Sequence, residues 1–211
     1  MTVPSPSVLS ETRRGLHGVA ELVLAGPQYR RTGTIRLRPG RHGFGTITEP
    51  ELRVEGGRLV AGERRLDLDG ATPAGLGAAA GVEAGAPADL YHGGSGVRLD
   101  DVLRIDESAA AYLADCFAAG DAALRALAPA ETPVLWPEHF DLSITVDQVN
   151  FGVSPGDEWL DEPYAYVGPR RLRPGPFWNA PFGAARPLRE LAGPDVLTTF
   201  LREGRDLAAR S

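Results

Sequence analysis

Apolar and polar positions alternate over several stretches of this chain, and the alternation changes period near its middle. Tyr29, Arg31, Gly33, Ile35 and Leu37 share one parity while Arg30, Thr32, Thr34, Arg36 and Arg38 share the other, which reads as a half-buried strand with an arginine-lined outer face. The apolar run Gly18–Ala25 before it predicts a β-rich segment. Pro39-Gly40 turns the chain, and Phe44–Thr48, Leu52-Arg53-Val54, Leu59-Val60 and Leu66-Asp67-Leu68 continue as an antiparallel meander. Ala74–Gly81 predicts a short helix.

From Asp106 the period lengthens. Asp106 suits a helix N-cap, Glu107 suits the positive end of the helix dipole, and Leu113, Cys116, Phe117, Leu124 and Leu127 fall on one face before Pro129. Strand alternation returns at Phe140–Val146, which places His139, Asp141, Ser143 and Thr145 together on a solvated face. Val149–Val153 and Tyr164–Val167 follow as strands, and a last helix begins near Pro194 with Val196, Leu197, Phe200, Leu201 and Leu207 facing inward. The pattern defines an α+β protein with antiparallel meanders between helices. Residues 1–14 read as a mobile N-terminal tail and residues 15–211 as one domain, with sub-lobes of about 15–128 and 129–211. Gly43-Phe44-Gly45 with Glu49-Pro50 is echoed by Asn150-Phe151-Gly152 with Glu162-Pro163, which suggests an internally duplicated strands–helix unit.

Composition narrows the functions open to such a fold. Hydrophobic residues at 43% and charged residues at 24% are those of a chain that folds. A net charge of -6 disfavours a phosphate backbone, so no nucleic-acid partner is expected. All basic residues are arginine, which removes lysine Schiff-base and P-loop chemistry. The single cysteine, Cys116, forms no intramolecular disulfide and points to a reducing, cytoplasmic location, and no apolar stretch is long enough to predict a membrane span.

The densest polar and aromatic cluster runs from Trp136 to Tyr166. His139 and Asp141, two apart on one predicted strand, are the candidate catalytic pair for proton transfer. Trp136, Asn150, Asp157, Tyr164 and Trp178 are the candidate ligand-binding residues, and the solvated-loop reading of Asp157-Glu158 stands beside that one. No metal site is predicted and no cofactor is indicated. Ser143 and Ser154 lie outside any G-x-S-x-G elbow. Gly93-Gly94-Ser95-Gly96, after Tyr91-His92, is either a phosphate cradle or a turn. The expected function is a small-molecule-binding protein or enzyme with its pocket in the 136–166 segment. The alternative is a protein-interaction or homo-oligomeric module.

Val134-Leu135-Trp136-Pro137-Glu138-His139-Phe140-Asp141-Leu142-Ser143-Ile144-Thr145, the Asn150–Gly156 loop and Pro163-Tyr164-Ala165-Tyr166-Val167 together resemble an actinobacterial family of unknown function. That family carries a Trp-x-x-Phe-Asp-Leu strand, a Gly-Phe-x-Pro-Gly loop and a Tyr-x-Tyr strand. The resemblance covers about residues 105–170 and implies the order of elements without an activity. The chain departs from the pattern at Glu138-His139 and in a shorter connection between the two strands.

Overall fold

The computed structural model describes residues 4–87, 89–91, 93–171, 173–191 and 193–210. Contacts divide the chain into two units, Met1–Asp115 with Leu135–Phe140, and Cys116–Val134 with Asp141–Ser211. The expected lobes thus shift: a helix, α4 (Glu107–Leu127), contributes to both units, and residues 135–140 return to the first. Asp106 caps α4 as its sequence predicts, its Oδ1 accepting from the Ala109 amide at 2.9 Å.

The first unit opens with helix where a mobile tail is expected. α1 (Pro6–Gly18) starts on a proline, which fits a first helical turn, and buries Leu9, Thr12 and Leu16. A π-helical turn over Val19–Ala25 follows, in place of the expected β-segment, with all seven residues buried. An apolar run buried on every side has no period, so sequence alone cannot separate helix from strand there. α2 (Gly26–Thr32) then takes in Tyr29–Thr32, the first part of the expected Tyr29–Leu37 strand, and ends at Gly33, whose φ of +74° supplies the left-handed C-cap. Strand begins only at Leu37.

Buried Gln28 fixes that exit from α2. Its amide nitrogen donates to the Thr34 and Arg36 carbonyls at 3.0 and 2.9 Å, while its oxygen accepts from the Ile47 and Thr48 amides at 2.8 and 3.2 Å. Beyond it lies the expected meander: β1 (Leu37–Gly40), β2 (Gly43–Thr46), β3 (Leu52–Glu55), β4 (Arg58–Ala61) and β5 (Arg64–Asp67), each antiparallel to the next. β6 (Val134–Trp136), which the sequence reading omits, pairs with β1 through Leu135 and Leu37. α3 (Pro73–Ala80) matches the predicted short helix and is capped by Thr72.

The arginine-lined face of this meander is an ion-pair ladder. Arg38 and Arg53 share Glu51 at 3.2 and 3.8 Å, and Arg53 and Arg65 share Glu55 at 2.6 and 3.1 Å. Their guanidinium groups hold the Glu55 carboxyl below its usual range. These exposed pairs contribute little stability, but they answer the arginine charge locally.

The second unit is a four-stranded antiparallel meander. β7 (Asp141–Val146) and β8 (Val149–Ser154) join through Asp147 and Gln148, whose φ angles of 51° and 65° make the tight hairpin turn. β9 (Tyr164–Pro169) and β10 (Ala184–Pro187) complete it. Leu142, Ile144, Phe151, Val153, Ala165 and Val167 are buried on the face that meets the helices. Close approach is allowed by Gly120 of α4, where a Cβ would lie 2.8 Å from Val153, and by Gly204 of α5 (Pro194–Ala209), where it would lie 2.6 Å from Val167. Leu197, Phe200 and Leu201 face inward in α5, whereas Val196, expected to join them, is 44% exposed because it falls one residue off the stripe.

Phe44 lies on β2 and Phe151 on β8, each paired on both sides, and the first unit leads with helix rather than strands. No helix among the described residues is long and apolar enough to cross a membrane.

Candidate functional site

Strand register builds the densest polar arrangement in the second unit. On β9, Ala165 and Val167 point to the core, so Tyr164 and Tyr166 lie on the opposite face. Gly152 of β8 pairs with Tyr166, and Ser143 of β7 pairs with Gly152. Because Gly152 has no side chain, the Tyr166 ring lies over β8, and its hydroxyl donates to Asp141 Oδ2. Ser143 acts on the same phenol, drawing its pKa down. Tyr164 repeats this chemistry two residues earlier: its hydroxyl donates to Asp157 Oδ2, and Ser154 draws its pKa down. The face thus carries two tyrosine–carboxylate pairs side by side.

Asp141 is only 8% exposed, contrary to the solvated face expected for it. Burial first, and the charge and hydrogen bond of Asp141 next, push the Tyr166 phenol well above its ordinary value of 10. Burial and the Asp157 hydrogen bond raise Tyr164 likewise. Both phenols are therefore protonated donors at neutral pH, unsuited to act as bases. No histidine belongs to this unit, so neither serine has an imidazole from its own unit to activate it.

Asp157 also builds the loop that follows β8. Its Oδ1 accepts from the Trp159 and Leu160 amides at 2.8 and 3.0 Å, and its own amide donates to the Leu160 carbonyl at 2.9 Å. The closed turn presents Trp159, whose ring meets Phe182 at 5.1 Å and Tyr164 at 5.6 Å in edge geometry. Trp159 is nevertheless 43% exposed.

The remaining candidate residues fall elsewhere. His139 lies in the turn before β7, its side chain 72% exposed and 3.7 Å from Glu138. Phe140, at φ +55° with its amide donating to the Trp136 carbonyl, ends that turn, so strand alternation starts only at Asp141 and the expected His139–Asp141 strand pair does not form. Trp136 of the first unit lies under the Arg36 guanidinium at 5.7 Å. Asn150 is exposed and bonds Thr145 across the β7–β8 hairpin at 2.7 Å. Trp178 packs edge-on against Phe177. Among the described residues no group of three or more His, Cys, Asp and Glu side chains could hold a metal.

The first unit contains a second polar cluster that the sequence reading missed. Glu21, 4% exposed in the π-helical turn, accepts from the Ser95 amide at 2.9 Å, the Ser95 hydroxyl at 2.7 Å and the Tyr91 hydroxyl at 3.2 Å. The glycine-rich run is thus a cradle for an internal carboxylate, its Gly94 at φ +93° packed against Glu21. His92, which precedes this run, lies outside the described residues. A lone acid within the apolar run Val19–Ala25 was the available signal.

One turn earlier, His17 stacks on Phe140 at 5.3 Å and donates through Nε2 to the Pro137 carbonyl at 2.7 Å. Burial lowers its pKa below 6.5, against the opposing pull of the Pro137 carbonyl and Glu21. Since the unfolded chain takes up this proton first, stability is expected to be full above about pH 6.5 and to fall as pH drops toward the folded pKa. Urea midpoints at pH 7 and 5.5 check this: His17→Gln should shrink the difference between them, and an unchanged difference would contradict the assignment.

No protein-family model, curated protein or solved structure matches the chain.

Proposed function

We propose that the chain is a ligand-binding protein whose working surface is the tyrosine-bearing face of the second unit, with Asp141, Ser143, Ser154, Asp157, Tyr164 and Tyr166 as its polar lining. The doubled tyrosine–carboxylate arrangement carries this reading. Burying the Asp141 carboxylate against the Tyr166 phenol costs desolvation, and apolar packing would stabilise a sheet face better. Networks of this kind instead fix donors and acceptors in one geometry, which recognition requires. The strands that carry the resemblance to the actinobacterial family also build this face, and membership of that family is part of the proposal. A lone, buried Cys116 fits a reducing compartment such as the cytoplasm.

The test is native mass spectrometry of protein purified from its own host. A small molecule retained by the wild type should be lost from Asp141→Asn, whose circular dichroism and melting should remain close to wild type. An empty wild-type protein, or equal retention by the variant, would sink the reading.

A further inference from the structure

Trp159 combines two properties that rarely coincide, a fixed position and an open ring. Its backbone is closed by Asp157, its ring is braced by Phe182 and Tyr164, and 43% of the residue still faces solvent. An aromatic already held in place loses little conformational freedom on binding, which is the property of an interface anchor. Its surroundings are acidic. Asp157, Glu158 and Asp161 are exposed beside it, and Glu162 follows. Arg189 answers Glu162 at 2.8 Å and Glu190 at 3.2 Å. A negatively rimmed indole complements a cation, and guanidinium stacks on such a ring better than ammonium does.

We propose that this loop is a docking surface for an arginine-bearing segment of a partner protein, with one guanidinium over Trp159 and neighbouring positive charges facing Glu158 and Asp161. The proposal rests on the reading of this face as the working surface and adds the chemistry of what covers it. Charge complementarity favours a basic peptide over a nucleic acid or a neutral surface. Rim charges of this type act mainly on association rate and salt dependence, whereas the ring, once covered by the partner, sets residence time.

The experiment is isothermal titration of the full chain with a ten-residue peptide alternating arginine and glycine, beside matched peptides carrying lysine or neutral citrulline. The arginine peptide is expected to bind, the lysine peptide more weakly, and the citrulline peptide not at all. Trp159→Ala should weaken arginine-peptide binding about tenfold. Trp159→Leu, which keeps apolar packing in the loop, should weaken it similarly if the ring face is the contact. Glu158→Gln with Asp161→Asn should flatten the salt dependence. Equal binding to the tryptophan variants, equal binding of citrulline, or no binding of the arginine peptide overturns the proposal. So does a concentration-dependent dimer abolished by Trp159→Ala in sedimentation, which would make a second copy the occupant. If the arginine peptide fails while a retained small molecule is still lost from Asp141→Asn, only the docking proposal falls.

Discussion

Replacing Glu21 with alanine is expected to destabilise the first unit by about 2–4 kcal/mol, because it strands the Ser95 amide, the Ser95 hydroxyl and the Tyr91 hydroxyl, all half-buried, around a side chain that is itself buried. Truncating the acid also leaves a void inside a π-helical turn whose residues are all buried. Ser95→Ala removes one donor and should cost far less, about 1 kcal/mol. The two losses should be strongly non-additive, since both report the same hydrogen bonds. Chemical denaturation of the two single variants and the double variant reads all of this directly. A loss below about 1 kcal/mol for Glu21→Ala would show that the carboxylate is not the keystone of the Gly93–Ser95 loop.

The second large effect is expected at Gly152. A Cβ added there would stand 2.6 Å from the Tyr166 ring and 2.7 Å from the Leu142 carbonyl oxygen. One contact is a side chain that can move and the other is backbone that cannot easily do so. Gly152→Ala should therefore cost about 2–3 kcal/mol and push the Tyr166 hydroxyl away from Asp141. In a Tyr166→Ala background the same substitution should cost less, because only the backbone clash remains. Equal costs in the two backgrounds would mean that Gly152 is not what makes room for Tyr166. The substitution also tests function, since it displaces the Tyr166–Asp141 pair while leaving Asp157 and Trp159 untouched.

Where burial alternates cleanly, as in β3 and along α4, the apolar–polar period predicts the element. A wet face is not sufficient, since α1 buries Leu9, Thr12 and Leu16 and exposes Glu11 and Arg14 yet reads as a tail in its turn formers and charges. Other failures fall where the contrast between faces vanishes. Val19–Ala25 is buried all round, and short α2 carries polar residues whose spacing over so few positions mimics a strand. β10 is only four residues long and ends in Pro187, too brief for alternation to register.

The candidate site was legible as a segment rather than as an arrangement. Asp141, Asp157 and Tyr164 belong to the tyrosine face as the cluster suggested, but Tyr166 became its centre only through the register that sets it against Gly152. His139 was misplaced because the positive φ of Phe140 is invisible in an apolar–polar pattern. Residue type alone does not place Asn150 and Trp178, and neither has a described hydrogen bond or ring contact to the two tyrosine–carboxylate pairs. Glu21 and the Gly93–Ser95 loop lie more than 70 residues apart in the chain, so only tertiary structure could join them.

The most direct test of the central claim is hydroxyl-radical footprinting of the full chain with and without the arginine–glycine peptide, reading Trp159 against the exposed apolar residues Leu90, Leu99 and Val102 of the first unit. The account predicts protection confined to Trp159 and its neighbours on the tyrosine face, with the first-unit residues oxidised at unchanged rates. Protection of the first-unit residues with Trp159 unaffected would contradict it.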